Sequence, residues 1–357
     1  MKTVVFILSF LAIVTFFGTV GCNSGGSTDP DPNEQPNPNP NPNPNPNPNP
    51  NPDPNTDPPE NDTFRGRMRT FVRGISTYAK DINPDFFIIP QNGQDVLSDN
   101  SNPNDAPSQG YLNAIDGIGR EDLFYGYEAD DEPTETSTSN AIVAFLNIYE
   151  ANDVEVLVTD YTSTNSRMDD SYSRNANLNF TSFAAPSREL DNIPSYPARP
   201  VGENSSNINT LAQAKNFLYL LNPGTFSSKA DYLAQIRATN YDLFIIDAEY
   251  DGQFLSAADV QSLKTKANGG TRKIVAYMSI GEAENYRYYW QAAWNSQKPS
   301  WIEKENESFA GNFIVQYWNQ EWQSIIYGND NAYLKRILNA GFDGVYLDII
   351  DAFEYFE

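Results

Sequence analysis

Five carboxylic acids each stand at the end of a short apolar run. Glu121 follows GIGR, Asp160 ends VLVTD, Asp247 ends FIID, Glu282 ends YMSIGE and Asp348 ends VYLD, with Asp351 one turn further on. Gln91 and Asn92 follow FIIP in the same way. Ionised carboxylates are rarely buried unpaired, because removing their water is costly, so a charge at a strand end does not serve core packing. One such Asp reads as a helix N-cap. Five converging on one rim, with Arg120 and Arg287 as the obvious neighbouring bases, raise one another's pKa values or bind a cation. Two carboxyls of unequal proton affinity are the equipment of glycoside hydrolysis, one acting as general acid and the other as nucleophile or base. A Ca²⁺ or Mg²⁺ site is the alternative, although no calcium-loop spacing is present.

The remaining residue types narrow the chemistry. The 357-residue chain has no histidine, which removes His bases, His-activated nucleophiles and His metal ligands. Its one cysteine, Cys22, rules out a disulfide within the chain. Net charge is −24, and the seven acids between Asn23 and Thr63, together with Lys2, leave −18 on residues 64–357. Such a surface disfavours nucleic acid and anionic lipid and attracts polycations, although solubility alone also accounts for it.

Positioning five acids on one rim requires parallel strands. Eight strand-like runs lie at 86–90, 117–119, 156–159, 181–184, 217–221, 243–246, 274–278 and 345–347. Helical spacing fills the intervals, as at 141–149, 229–238, 257–266 and 331–339, and Met68, Phe71, Val72, Ile75, Ala79 and Ile82 mark a helix before the first strand. This alternation predicts a single (β/α)8 TIM barrel, whose ligands and catalytic groups gather at the carboxyl ends of the strands. An open doubly wound sheet is the other solution, but no glycine-rich phosphate loop follows any strand.

Residues 1–21 carry one lysine, an apolar run at 4–17 and small residues before Cys22, which resembles a lipoprotein signal with Cys22 as the lipidated residue. The expectation is an exported cell-surface or outer-membrane lipoprotein that meets membrane only through its lipid anchor. Residues 22–63 form a linker whose centre is eight Asn-Pro dipeptides from Asn37 to Pro52. Such a sequence is extended and reaches up to roughly 100 Å. All five tryptophans, Trp290, Trp294, Trp301, Trp318 and Trp322, fall in one stretch with Tyr286, Tyr288, Tyr289 and Tyr317. Aromatic faces stack on sugars and attract ammonium groups, so one or two of these should be exposed at the rim; packing of a long excursion is the plainer reading.

The blocks NFLYLLNP, YDLFIIDAEYDG, KIVAYMSIGEAENYRYYW, YWNQEWQSII, GFDGVYLDIIDAFEYFE, NPDFFIIPQNG and DGIGREDLFYG resemble glycoside hydrolase family 114, the endo-α-1,4-polygalactosaminidase-like barrels. The family order is inverted: its first half resembles 210–357 and its second half 64–187. The chain is therefore expected to be circularly permuted, with 188–209 as the new joint and its two ends meeting in space. The resemblance implies a (β/α)8 barrel and a galactosamine-containing, polycationic polysaccharide as substrate partner; on charge and spacing, no nucleic acid partner and no cofactor or metal are expected. It makes Asp348 the nucleophile or base and Glu121 the general acid. Asp247, Glu282, Asp160, Arg120, Tyr125, Asn92, Tyr219 and Trp318 would bind sugar or set pKa values. A non-catalytic polysaccharide binder on the same scaffold is the rival function.

Overall fold

The computed structural model describes residues 60–357; the signal segment, Cys22 and nearly all of the linker lie outside them. Eight apolar runs form parallel strands. They are β1 (Phe87–Pro90), β2 (Gly117–Glu121), β3 (Glu155–Tyr161), β4 (Thr181–Ala185), β5 (Phe217–Leu220), β6 (Leu243–Asp247), β7 (Lys273–Ser279) and β8 (Gly344–Asp348). Their residues are buried almost throughout, as expected where both sheet faces are covered.

The strands pair as one parallel sheet of order β1-β8-β7-β6-β5 and a second of order β2-β3-β4. A parallel bridge from Gln91 to Gly119 links the end of β1 to β2. On the other side, the Phe183 ring of β4 lies 5.7 Å from the Phe217 ring of β5. Each strand therefore lies beside its successor, and β8 lies beside β1.

Helices cover the outside. Helix α1 (Phe64–Ile82) starts at Thr63, whose hydroxyl accepts from the Gly66 amide, and ends at Asn83 before Pro84. Met68, Phe71, Val72, Ile75 and Ala79 form its buried stripe, whereas Ile82 in the last turn has passed the core and is exposed. Helix α8 (Tyr333–Ala340) stops at Gly341, whose left-handed φ of 82° suits a residue without a Cβ. Between α1 and α8 in sequence come α2 (Gln109–Leu112), α3 (Thr136–Glu150), α4 (Asn165–Ala176), α5 (Lys229–Arg237), α6 (Ala257–Leu263) and α7 (Gln320–Ile326).

Two departures from regular alternation matter for the site. An antiparallel excursion, Glu282–Glu284, Ile302–Glu305 and Asn312–Val315, follows β7 and carries most of the tryptophans. The connection 188–209 between β4 and β5 contains no helix. Its start bonds to the end of β5, where Leu190 O accepts from the Leu221 and Asn222 amides. Its later part reaches the opposite strand ends, where Asn204 joins the buried Lys266–Asp242 pair.

The described chain ends lie side by side. Arg65 Nε is 3.0 Å from Glu357 Oε1, the Phe64 and Phe356 rings stack at 5.5 Å, and the Tyr317 hydroxyl donates to Phe64 O at 2.7 Å.

Candidate active site

Strand register decides which acids meet. Side chains alternate faces along a strand, and the registers Gln91↔Gly119, Glu121↔Thr159, Tyr346↔Tyr277, Asp348↔Ser279 and Tyr277↔Asp247 put one set on a common face. That face carries Gln91, Glu121, Thr159, Tyr161, Asp247, Tyr277, Tyr346 and Asp348. Glu121 ends β2 and Asp348 ends β8, with only β1 between them. At about 4.8 Å per strand, their backbones are roughly 10 Å apart, and both side chains point inward.

Neutral donors hold both carboxyls. Glu121 accepts from Asn92 Nδ2 at 2.9 Å and from the Tyr161 hydroxyl in a short bond; Asn92 Oδ1 in turn accepts from the Glu121 amide at 3.1 Å. Asp348 accepts from the Tyr277 hydroxyl at 2.6 Å and from the Ile349 amide at 2.8 Å. Burial, followed by the charge of Glu121, pushes the Asp348 carboxyl up to about 8. Asp351 is pushed up to about 6, burial outweighing the opposing charge of Arg120.

The chain bends sharply at each of these three strand ends. Asn92, Asp122 and Ile349 have φ of 59°, 60° and 61°. For a β-branched residue such as Ile349 this left-handed conformation is a true outlier, and strain of that kind concentrates at functional sites. Close packing lies beneath: a Cβ at Gly119 would overlap the Tyr346 hydroxyl, so glycine lets that phenol reach across to β2 below Glu121.

The other three strand-end acids are held differently. Asp247 is bound bidentately by Arg287 at 2.7 and 2.8 Å, and Arg287 Nε also binds Glu284 at 2.7 Å. Glu282 is buried in the excursion, accepts from Asn306 Nδ2 at 2.7 Å, and is raised by burial. Asp160 does not join the rim, contrary to expectation. It sits one residue out of phase, faces α4, and is sealed by the Phe124 and Tyr125 amides, Ser171 and Asn175.

The remaining expected contacts divide in the same way. Asn92 touches Glu121, and Arg120 supports Asn92 and Gln94 at 3.4 and 3.2 Å. Tyr125 turns its hydroxyl to Asp170 on α4, away from the pair. Tyr219 is buried beneath the pair, donating to Gln91 Oε1 at 2.9 Å with its ring 5.3 Å from Tyr346. Trp318 packs on Phe64 and Phe356, so it serves the junction of the chain ends and not the pair.

No tryptophan is fully exposed. Trp290, Trp294, Trp301 and, on α7, Trp322 pack successively at 5.2–5.4 Å, edge to face in the first two contacts and tilted at 35° in the third, so they fill the space between the excursion and α7. The exposed aromatics of this stretch are Tyr286, at 56 % and bonded to Glu284, Tyr288 and Phe309. Sequence reasoning missed Tyr161 and Tyr277, the phenols on the two carboxyls. Tyr161 hides beside Asp160, and Tyr277 lies inside an apolar run; strand parity was the signal that separates them from core.

Among known proteins, the chain is similar to an uncharacterized protein of Thermotoga maritima, 36% identical over 121 residues that make up 34% of this chain and 36% of that one. It is also similar to the uncharacterized protein MJ1477 of Methanocaldococcus jannaschii, 35% identical over 152 residues, or 43% of this chain and 42% of that one. An uncharacterized protein of Deinococcus radiodurans is 39% identical over 123 residues, 34% of this chain and 37% of its own. Each match thus spans well under half of the relative's length. Residues 198–356 match the model described as Glycoside-hydrolase family GH114, and this match supports glycoside hydrolase family 114 for the chain.

Proposed function

We propose that this protein is an exported, surface-anchored glycoside hydrolase that cleaves α-1,4-linked, galactosamine-containing polysaccharide within the chain, using Asp348 and Glu121. The observation that carries this reading is the pair itself. Two inward carboxyls stand on strand ends one strand apart, each held by a phenol, and among the described residues neither forms a salt bridge. The −18 charge of residues 64–357 suits a polycationic chain.

Two structural readings accompany it. Adjacency of every strand to its successor, and of β8 to β1, supports one (β/α)8 barrel. The contact between Phe64 and Phe356 supports a permuted order. So does the family-model match at 198–356, since a collinear alignment of a permuted chain runs through only one of the two blocks.

Hydrolysis needs one carboxyl protonated and the other ionised. With its carboxyl pushed up to about 8 by burial and by the charge of Glu121, Asp348 favours its protonated form near neutral pH. For Asp348 to act as nucleophile or base and Glu121 as acid, substrate must move that proton. An amino sugar does so, because an ammonium beside Asp348 favours its carboxylate; the proton given up passes to Glu121, which delivers it to the leaving oxygen. Tyr277 then stabilises the charge, and Asn92 and Tyr161 orient Glu121 toward the leaving oxygen.

The test is reducing-end release from partially deacetylated α-1,4-galactosaminogalactan, beside its fully acetylated form. Faster release from the deacetylated polymer is the expected result. Tight, salt-sensitive binding without release would replace the hydrolase by a polysaccharide binder, and neither release nor binding would sink the substrate class.

A further inference from the structure

We propose that Arg188, the first residue of the helix-free connection 188–209, is a positioning residue for Glu121. This rests on the glycoside hydrolase reading for its catalytic consequence, but not for its geometry. The Arg188 fork binds Asp122 with Nη2 to Oδ1 at 2.7 Å and Nη1 to Oδ2 at 3.2 Å. It also reaches Gly126 O at 2.7 Å and Asp130 Oδ1 at 2.8 Å. Its Cζ lies 4.0 Å over the centre of the Tyr161 ring.

These contacts hold Glu121 from two directions. Asp122 is the next residue along the chain and sits in the left-handed region, so its anchoring fixes how β2 ends. Tyr161 is the phenol that donates to Glu121, and the guanidinium lies against its ring. Gly126 completes the arrangement. A Cβ there would overlap the Asp122 carboxylate and press on Arg188, so glycine lets the β2 loop fold back under the guanidinium. An ordinary connector does not need this, and long loops without regular structure are commonly functional. The planar fork matters as much as the charge, because an ammonium cannot bind Asp122 bidentately and lie flat on Tyr161 together.

The experiment compares full-length protein with Arg188→Lys, Arg188→Met, Tyr161→Phe and the Arg188→Lys/Tyr161→Phe double variant, with thermal melting to verify folding. Arg199→Met, in an exposed part of the same connection, is the control. Arg188→Lys, Arg188→Met and Tyr161→Phe should each lower kcat about tenfold with KM within about twofold, and the double variant should lose far less than the product of the single losses. The second readout needs no turnover: the Glu121 carboxyl ¹³C resonance, assigned with Glu121→Gln, should move in Arg188→Lys and stay put in Arg199→Met.

Unchanged kcat with an unmoved resonance would overturn the proposal, as would multiplicative losses. A parent that releases no reducing ends while the resonance still moves would remove the hydrolase reading and leave the positioning role standing. No release and no movement would remove both.

Discussion

Two sides of one rim use the same residue type in opposite ways. On the β6–β7 side, Asp247 and Glu284 share Arg287, and Glu249 lies 3.9 Å from it. On the β8–β1–β2 side, Asp348 and Glu121 have phenols and an amide, but no salt bridge among the described residues. A guanidinium in a buried fork ties up its carboxylates' lone pairs and commits them to structure. Neutral donors orient a carboxyl while leaving its proton free to move. The partner, not the strand-end position, separates a candidate catalytic acid from a structural one.

The largest expected effects fall on turnover. Asp348→Asn and Glu121→Gln should each lower hydrolysis by about 10²–10⁴-fold, read as initial rates of reducing-end release. If the comparison holds, Arg287→Met acts on the other axis. It leaves buried carboxylates unpaired and should cost about 3–5 kcal/mol of stability in urea unfolding. A stable Arg287→Met protein would mean that the β6–β7 side is not locked as an ion cluster.

The pH dependence of stability sharpens the contrast. The folded Asp348 carboxyl, at about 8, lies above its ordinary value of 3.8, so the folded state binds the extra proton between these values. Its contribution is fully present below about pH 4 and is lost as pH rises toward 8. Asp348→Asn should therefore melt at a higher temperature than the parent near pH 8, with the gap closing as pH falls. A constant gap from pH 4 to 8 would show that Asp348 is ordinary. Tyr277→Phe removes a donor to the Asp348 carboxylate. It should shift the pH limb governed by Asp348 to higher pH and slow turnover about tenfold, from a charged hydrogen bond of about 1.5 kcal/mol.

The strands were legible because parallel strands buried on both faces are nearly continuous apolar runs, and all eight appear where such runs stand. Glu121, Asp348 and Asn92 were legible as polar residues closing those runs. Asp160 misled because a run's end does not tell which face its last residue takes; one step of register sends it to α4 and sends Tyr161 inward. Ile349 was hidden for another reason: nothing in a β-branched side chain advertises a left-handed backbone. Arg188 looked like the edge of a polar connector, and its partners are fixed only by how β2 and β3 fold around it.

The most direct test is the initial rate of the Asp348→Asn/Glu121→Gln double variant beside each single variant and Asp247→Asn, all at equal folded concentration. If Asp348 and Glu121 act as one unit, the double variant is no slower than the worse single one, and Asp247→Asn keeps substantially more turnover than either. Losses that multiply, or an Asp247→Asn rate as low as the pair's, would contradict the account.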